Sequence, residues 1–184
     1  MSSISPLDGR YKKETQELNE YFSEQALMRF RLYVEIKYLI FLSETASLKT
    51  RVSINTKDKK ALADIYKNFD QREYNAIKRI ESKTKHDVNA VVEYLSDKVE
   101  NISEGLAPWI HFGLTSEDIN NTAYSLMVKG AVEGPVFSSL STLSSSLKKI
   151  IIKTKGFSML SLTHGQPATT TTLGKELEIG RAHV

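Results

Sequence analysis

Hydrophobic residues recur at helical spacing along most of this chain. Between 22 and 43, Leu27, Phe30, Val34 and Phe41 mark one stripe, and Leu32, Ile36, Leu39 and Ile40 mark a second. Two stripes predict a helix buried on most of its sides. Residues 61–69 and 76–80 read as shorter amphipathic helices. Val88, Val91, Leu95 and Val99 then recur at spacings of three and four, predicting a helix that Asp87 can cap. Val88, Val91 and Val92 are β-branched and allow a strand locally, but the polar face of Glu93, Asp97 and Lys98 favours helix. Thr115-Ser116-Glu117-Asp118 has the form of a capping box. A long helical pattern follows from 119 to about 155. Gly130, Gly134 and Pro135 interrupt it, and a kink is predicted there. Leu140, Leu143 and Leu147 run an apolar seam through the serine-rich stretch 138–146, which makes it a helix rather than a linker. Residues 159–162 read as a short extended piece. The fold class is all-α.

Composition narrows the function classes. The 184 residues are 40% hydrophobic and 26% charged, ordinary for a globular protein of one domain and part of a second. The formal net charge is +3, with acids and bases interleaved, so no basic stripe suited to nucleic acid is present. The absence of cysteine excludes a disulfide scaffold, a thiolate nucleophile and a cysteine zinc site, and fits a reducing, cytoplasmic setting. The longest apolar run, 38–42, is far too short to span a membrane, and no signal-peptide layout opens the chain. The four histidines are scattered without metal-ligand spacing, so neither a metal nor a cofactor is expected.

Candidate chemistry gathers at the edges of helices. Thr163-His164-Gly165-Gln166-Pro167-Ala168 sets an imidazole in a turn punctuated by Gly and Pro. Imidazole exchanges a proton readily near neutral pH, its unperturbed pKa being ~6.5. His164 is either a proton-transfer group or a histidine that caps a turn. Near the N-terminus, Arg10 offers a planar fork of donors for phosphate or carboxylate, with the Tyr11 hydroxyl beside it. A surface arginine in a turn reads the same way. Lys85-His86-Asp87 places a titratable donor at a helix start, or merely a cap. His111 precedes Thr115 and Ser116, whose hydroxyls and free N–H groups at a helix N-terminus suit an anion, unless Glu117 and Asp118 already satisfy that end.

Taken in this order, SPLDGRY at 5–11, KHDV at 85–88, HFGLTSEDINN at 111–121 and THGQPATTTTLGKE at 163–176 resemble the adenylosuccinate lyase family. That family belongs to the helical superfamily of fumarase, aspartase and argininosuccinate lyase. The resemblance covers about 4–177 and implies a small N-terminal helical domain, 1–113, followed by the first long helices of a central bundle, 114–178. It implies a β-elimination that splits adenylosuccinate into AMP and fumarate, and the succinylated aminoimidazole carboxamide ribotide in the same way. His164 matches the family's general acid and His86 the histidine that supports it. Arg10, Tyr11, Lys85, His86 and Asp87 match nucleotide-binding positions. Thr115 and Ser116 match positions that hold the fumaryl carboxylates, while His111 and Gln166 stand at further substrate-contacting positions. The implied assembly is a homotetramer with shared active sites, and the implied partners are small succinyl-purine nucleotides.

Three departures accompany the resemblance. Lys85 stands where some relatives have Asn or Arg. The family's base, a serine on a Gly/Ser-rich loop with a Met-Pro-x-Lys pattern, matches no stretch of these 184 residues, so the chain alone is expected to be inactive. The last six residues, 179–184, do not continue the family's bundle helix. They are what the opening of a widely used short-read sequencing adapter encodes in one frame, and native sequence is expected to stop near Leu177. Two other readings stay open: another lyase of the superfamily, such as argininosuccinate lyase, and a non-catalytic helical interaction module.

Overall fold

The computed structural model describes residues 4–45 and 53–182. They divide into two compact units, Met1–Gly130 and Ala131–Val184.

In the first unit, a 3₁₀ turn at Gln16–Leu18 leads to α1 (Asn19–Phe22). The long α2 (Glu24–Glu44) follows, started by the Ser23 hydroxyl, which accepts from the Ala26 N–H. α3 (Thr56–Lys67) and α4 (Gln71–Thr84) are capped the same way by Asn55 and Asp70. α5 spans Asp87–Glu100. A 3₁₀ turn at Ala107–Trp109 and a loop lead to α6 (Ser116–Ala131).

The core of this unit surrounds α2. Met28, Leu32, Ile36 and Leu39 pack with Leu62 of α3, Ile77 of α4 and Val91, Leu95 and Val99 of α5. Several are wholly buried, and each such side chain contributes roughly 1.5–3 kcal/mol. The second predicted stripe of α2 is therefore the one that enters the core. The first stays partly accessible, and Phe41 is 57% exposed. Polar ties lock the layers: Glu24 of α2 accepts from Tyr74 Oη and pairs with Lys78 Nζ of α4, both at 2.7 Å.

The kink predicted near 130–135 is present. A π-helical turn at Val132–Val136 contains Pro135 and a non-helical Gly134. Gly130 makes room on different grounds: a Cβ there would lie 2.6 Å from the ring of Tyr21, which would have to shift.

In the second unit, α7 (Phe137–Thr154) carries the serine-rich seam as a helix. An antiparallel hairpin of β1 (Ser158–Thr163) and β2 (Gln166–Thr172) follows, then α8 (Leu173–Arg181). The fold is all-α as expected, with this one small hairpin among the described residues where the sequence reads as a short extended piece at 159–162. Its register runs Ser158↔Thr172, Met159↔Thr171 and Leu160↔Thr170, then Leu162↔Pro167 and Thr163↔Gln166. The step between gives β2 one extra residue, a bulge at which Ser161 Oγ donates to the Thr169 carbonyl at 2.6 Å. α8 starts on the Thr172 hydroxyl and lies close against α7. The Gly174 Cα stands where a Cβ would come within 2.6 Å of Lys155 Cα. No helix among the described residues is long and apolar enough to cross a membrane.

Candidate active site

The N-terminal cluster is organised by Asp8. Its carboxylate accepts from the Ser5 N–H at 2.7 Å, the Ile4 N–H at 3.2 Å and the Ser5 hydroxyl at 3.1 Å. The Ser5 backbone donor foremost holds the Asp8 pKa below its ordinary value, against an opposing desolvation. The turn closes through the Tyr11 N–H on the Pro6 carbonyl, and the Arg10 guanidinium lies 5.5 Å from the centre of the Tyr11 ring. Both side chains are exposed, a cation and a hydroxyl presented side by side.

At the α4–α5 junction, Lys85 ends α4 in the left-handed conformation, φ +56°. His86, not Asp87, is the N-cap of α5: its Nδ1 accepts from the Asn89 N–H at 3.1 Å. That bond requires a bare Nδ1, so the ring proton sits on Nε2 and the exposed imidazole is a donor there. Asp87 is released from capping and pairs instead with Arg31 of α2, Oδ2 to Nη2 at 2.6 Å. Desolvation pushes the Asp87 pKa up, but the hydrogen bond and charge of Arg31, with backbone N–H groups, outweigh it and the net shift is downward.

The third segment hangs from the same helix. Glu35 is 0% exposed, and both its oxygens serve His111: Oε2 accepts the backbone N–H at 3.1 Å and Oε1 lies 2.6 Å from Nδ1. Burial raises the Glu35 pKa, and these bonds to His111 offset part of the rise. The Tyr38 hydroxyl adds a bond to the Phe112 carbonyl at 2.9 Å. The held loop is tightly turned, with φ +58° at His111 and +71° at Gly113, closed by the Leu114 N–H on the His111 carbonyl.

At the start of α6, Asp118 reaches back to the Thr115 N–H at 2.7 Å and hydroxyl at 2.9 Å, the acidic half of the predicted capping box. Those Thr115 bonds, backbone first, lower the Asp118 pKa. Thr115's donors are thus engaged within the chain. Glu117 holds the amides of Asn120 and Asn121, and Asn120 Oδ1 accepts from Arg31 Nε at 3.0 Å.

Arg31 and Glu35, one turn apart on α2, therefore tie the segment at 85–87 and the segment at 111–120 to one helix. Sequence reasoning passed over both residues. The signal was present: they are charged, four apart, and in register with the buried Met28, Leu32 and Leu39. Arg10 and Tyr11 share no hydrogen bond with either segment among the described residues. Two concavities of the first unit, about 380 Å³ beside Leu7, Asp8 and Phe22 and about 440 Å³ beside Arg79, Lys83 and Lys98, do not have His86 or His111 in their walls.

In the second unit, His164 and Gly165 are the two-residue turn of the hairpin, with φ +51° and +76°. Two successive positive φ values characterise a type I′ turn, whose twist matches that of the strands it joins. Gln166 pairs with Thr163 at its base. His164 is exposed and its ring makes no hydrogen bond among the described residues. The non-glycine residues with positive φ among those described are Lys85, His111 and His164, one in each of three segments singled out from the sequence.

A family model described as Lyase matches residues 9–183. Adenylosuccinate lyase of Dictyostelium discoideum is 44% identical over 184 residues, covering 97% of this chain and 40% of that protein. The Legionella pneumophila and Escherichia coli proteins of the same name are 42% and 37% identical, each covering 96% of the chain and 39% of the relative. The chain thus spans about 40% of the length of these relatives. Among solved structures, a fumarate lyase from a Mesorhizobium species aligns with a TM-score of 0.71 at 17% identity, over 91% of this chain and 37% of that one. The β-carboxy-cis,cis-muconate cycloisomerase of Acinetobacter calcoaceticus aligns at 0.70 and 20%, over 91% and 37%. At such identities these two establish the fold alone.

Proposed function

The chain belongs to the lyase family whose model spans residues 9–183, and from that premise we propose that the intact protein cleaves adenylosuccinate to AMP and fumarate. It acts on the succinylated aminoimidazole carboxamide ribotide in the same way. The observation that carries the reading is the placement of the strained residues. Lys85, His111 and His164 hold left-handed backbone that costs an ordinary side chain roughly 1–2 kcal/mol, and such strain concentrates where a side chain has a chemical task. The 37–44% identity to proteins named adenylosuccinate lyase supports the choice of substrate.

The reaction is a β-elimination. A base removes a proton from the succinyl carbon, and the carbanion is held as an aci-carboxylate. The C–N bond then breaks, its electron pair staying on nitrogen, and an acid protonates that nitrogen. His164 is the acid, carried on a two-residue turn with its ring making no hydrogen bond among the described residues. His86, protonated on Nε2, donates to the phosphate region and supports it. Arg10, Tyr11, Lys85 and Asp87 bind the nucleotide. Thr115, Ser116, His111 and Gln166 complete the contacts to the succinyl and nucleotide groups, with Asp118 yielding Thr115's donors to the substrate carboxylate. The base comes from outside the sequence in hand, in a cytoplasmic homotetramer with shared sites, so this chain alone turns over nothing.

The test is fumarate release by the intact protein from adenylosuccinate, from the aminoimidazole analogue and from argininosuccinate. Release from the first two supports the reading, and release from argininosuccinate alone replaces it with that sister activity. His164→Ala should slow turnover by roughly 10²–10⁴-fold. A variant with full activity would show that His164 is not the acid, and an intact protein that releases fumarate from none of the three substrates would point to a helical interaction module instead.

A further inference from the structure

Glu35 lies outside every motif that carries the functional reading, yet it is the most deeply buried charged residue among the described residues of the first unit. An isolated buried carboxylate is costly, and it persists when both its oxygens have work. Here both are spent on one residue, His111: one on its backbone N–H, one on its ring. The backbone bond holds His111 in its left-handed conformation, and the Tyr38 bond to Phe112 steadies the next peptide. The ring bond sets orientation and tautomer together. With Oε1 accepting from Nδ1, the proton of the neutral imidazole stays on Nδ1 and Nε2 is left as an acceptor. The ring is 22% exposed, enough for a ligand to reach it.

We infer that Glu35 is a positioning residue: its buried carboxylate fixes the backbone and ring of His111 so that Nε2 meets the substrate as a hydrogen-bond acceptor. The inference rests on the lyase reading for its substrate but not for its geometry. It gives α2, a core helix, a share in the site. It also sets His111 apart from His86, whose ring carries its proton on Nε2; the two imidazoles present opposite polarity, one receiving a substrate proton donor and the other donating to an anion.

The experiment uses the intact enzyme with Glu35→Gln, His111→Asn and the double variant, measuring kcat and KM on adenylosuccinate. Each single change should lower kcat/KM by roughly 10- to 100-fold, the cost of misplacing a site group. The double variant should be no worse than His111→Asn, because Glu35 acts through His111. Losses that multiply, or a Glu35→Gln enzyme within twofold of wild type, would overturn the proposal. Should Glu35→Gln fail to fold, ¹⁵N spectra of histidine-labelled wild type, with His111→Asn for assignment, decide it: a proton on Nδ1 is required, and a proton on Nε2 with Nδ1 bare refutes it. That spectrum remains decisive if no succinyl substrate is turned over, so failure of the lyase reading and failure of this one are told apart.

Discussion

Two carboxylates that face α2 residues or sit on α2 titrate in opposite senses. Asp87 is held below its ordinary 3.8, so the stability it brings is present above that value and lost as pH falls through its folded pKa. Glu35 is raised above 4.5, so its contribution is full below that value and lost as pH climbs through its folded pKa. Denaturant titrations should therefore show Asp87→Asn destabilising at neutral pH, by about 1 kcal/mol once screening of the half-exposed Asp87 is allowed for, although its partner Arg31 is buried, with the difference vanishing in acid. Glu35→Gln should gain on wild type as pH rises above 4.5. Constant differences across the range would contradict both assignments. His86 separates two duties: His86→Asn keeps a side-chain acceptor for the α5 cap, whereas His86→Ala loses it at roughly 0.5–2 kcal/mol. Thermal melts should distinguish the two variants while both lose activity. At this scale the sequence disclosed the histidines and their neighbours because they sit beside turn signals. It concealed Arg31 and Glu35 because two charges on a helix with apolar residues all round look like its solvent face until the partner helices are placed. Asp87 was expected to cap α5; the longer reach of the His86 ring takes that role because Arg31 claims the acid.

Helices were legible as elements because burial imposes a spacing of three and four on their apolar residues, and the interruption at Gly134 and Pro135 announced the break between α6 and α7. The hairpin was legible only on one side. β1 carries apolar residues, whereas β2 is Gln-Pro-Ala followed by threonines, with no alternation between buried and exposed faces to mark it, and Pro167 argues against a strand wherever an N–H must be donated. What makes it a strand is the turn at His164 and Gly165 together with the bulge opposite Ser161. Beyond it, α8 depends on Gly174. Gly174→Ala would drive a Cβ into the α7 backbone, which cannot swing aside as a side chain can. The expected cost is roughly 1–3 kcal/mol, read as a lower melting temperature by circular dichroism. Gly180→Ala, where a Cβ meets nothing within 4 Å, is the matched control and should leave the melt unchanged or raise it.

For the molecule as a whole, the two units differ in how far they bury their apolar residues. The first encloses a core around α2. In the second, Phe137, Leu140, Leu143, Ile150, Ile152, Phe157 and Leu162 are all exposed to 44% or more. An exposed apolar surface of this extent is of the kind that marks an interaction face. The 184-residue chain in solution should bind a hydrophobic dye and self-associate, and a chain ending at Gly130 should do so far less; equal dye binding by the two would argue against this account. The left-handed residues carry a last consequence, for anyone seeking hardier variants. At Lys85 and His164 a glycine would relax the backbone, so a screen for heat resistance should favour glycine at these two codons while a screen for growth rejects it; at His111 it would also strip a partner from the buried Glu35 carboxylate, and heat resistance gains nothing there. Overlaid, the two mutational maps would part company most sharply at Lys85 and His164, a test of each assignment that needs no bound ligand.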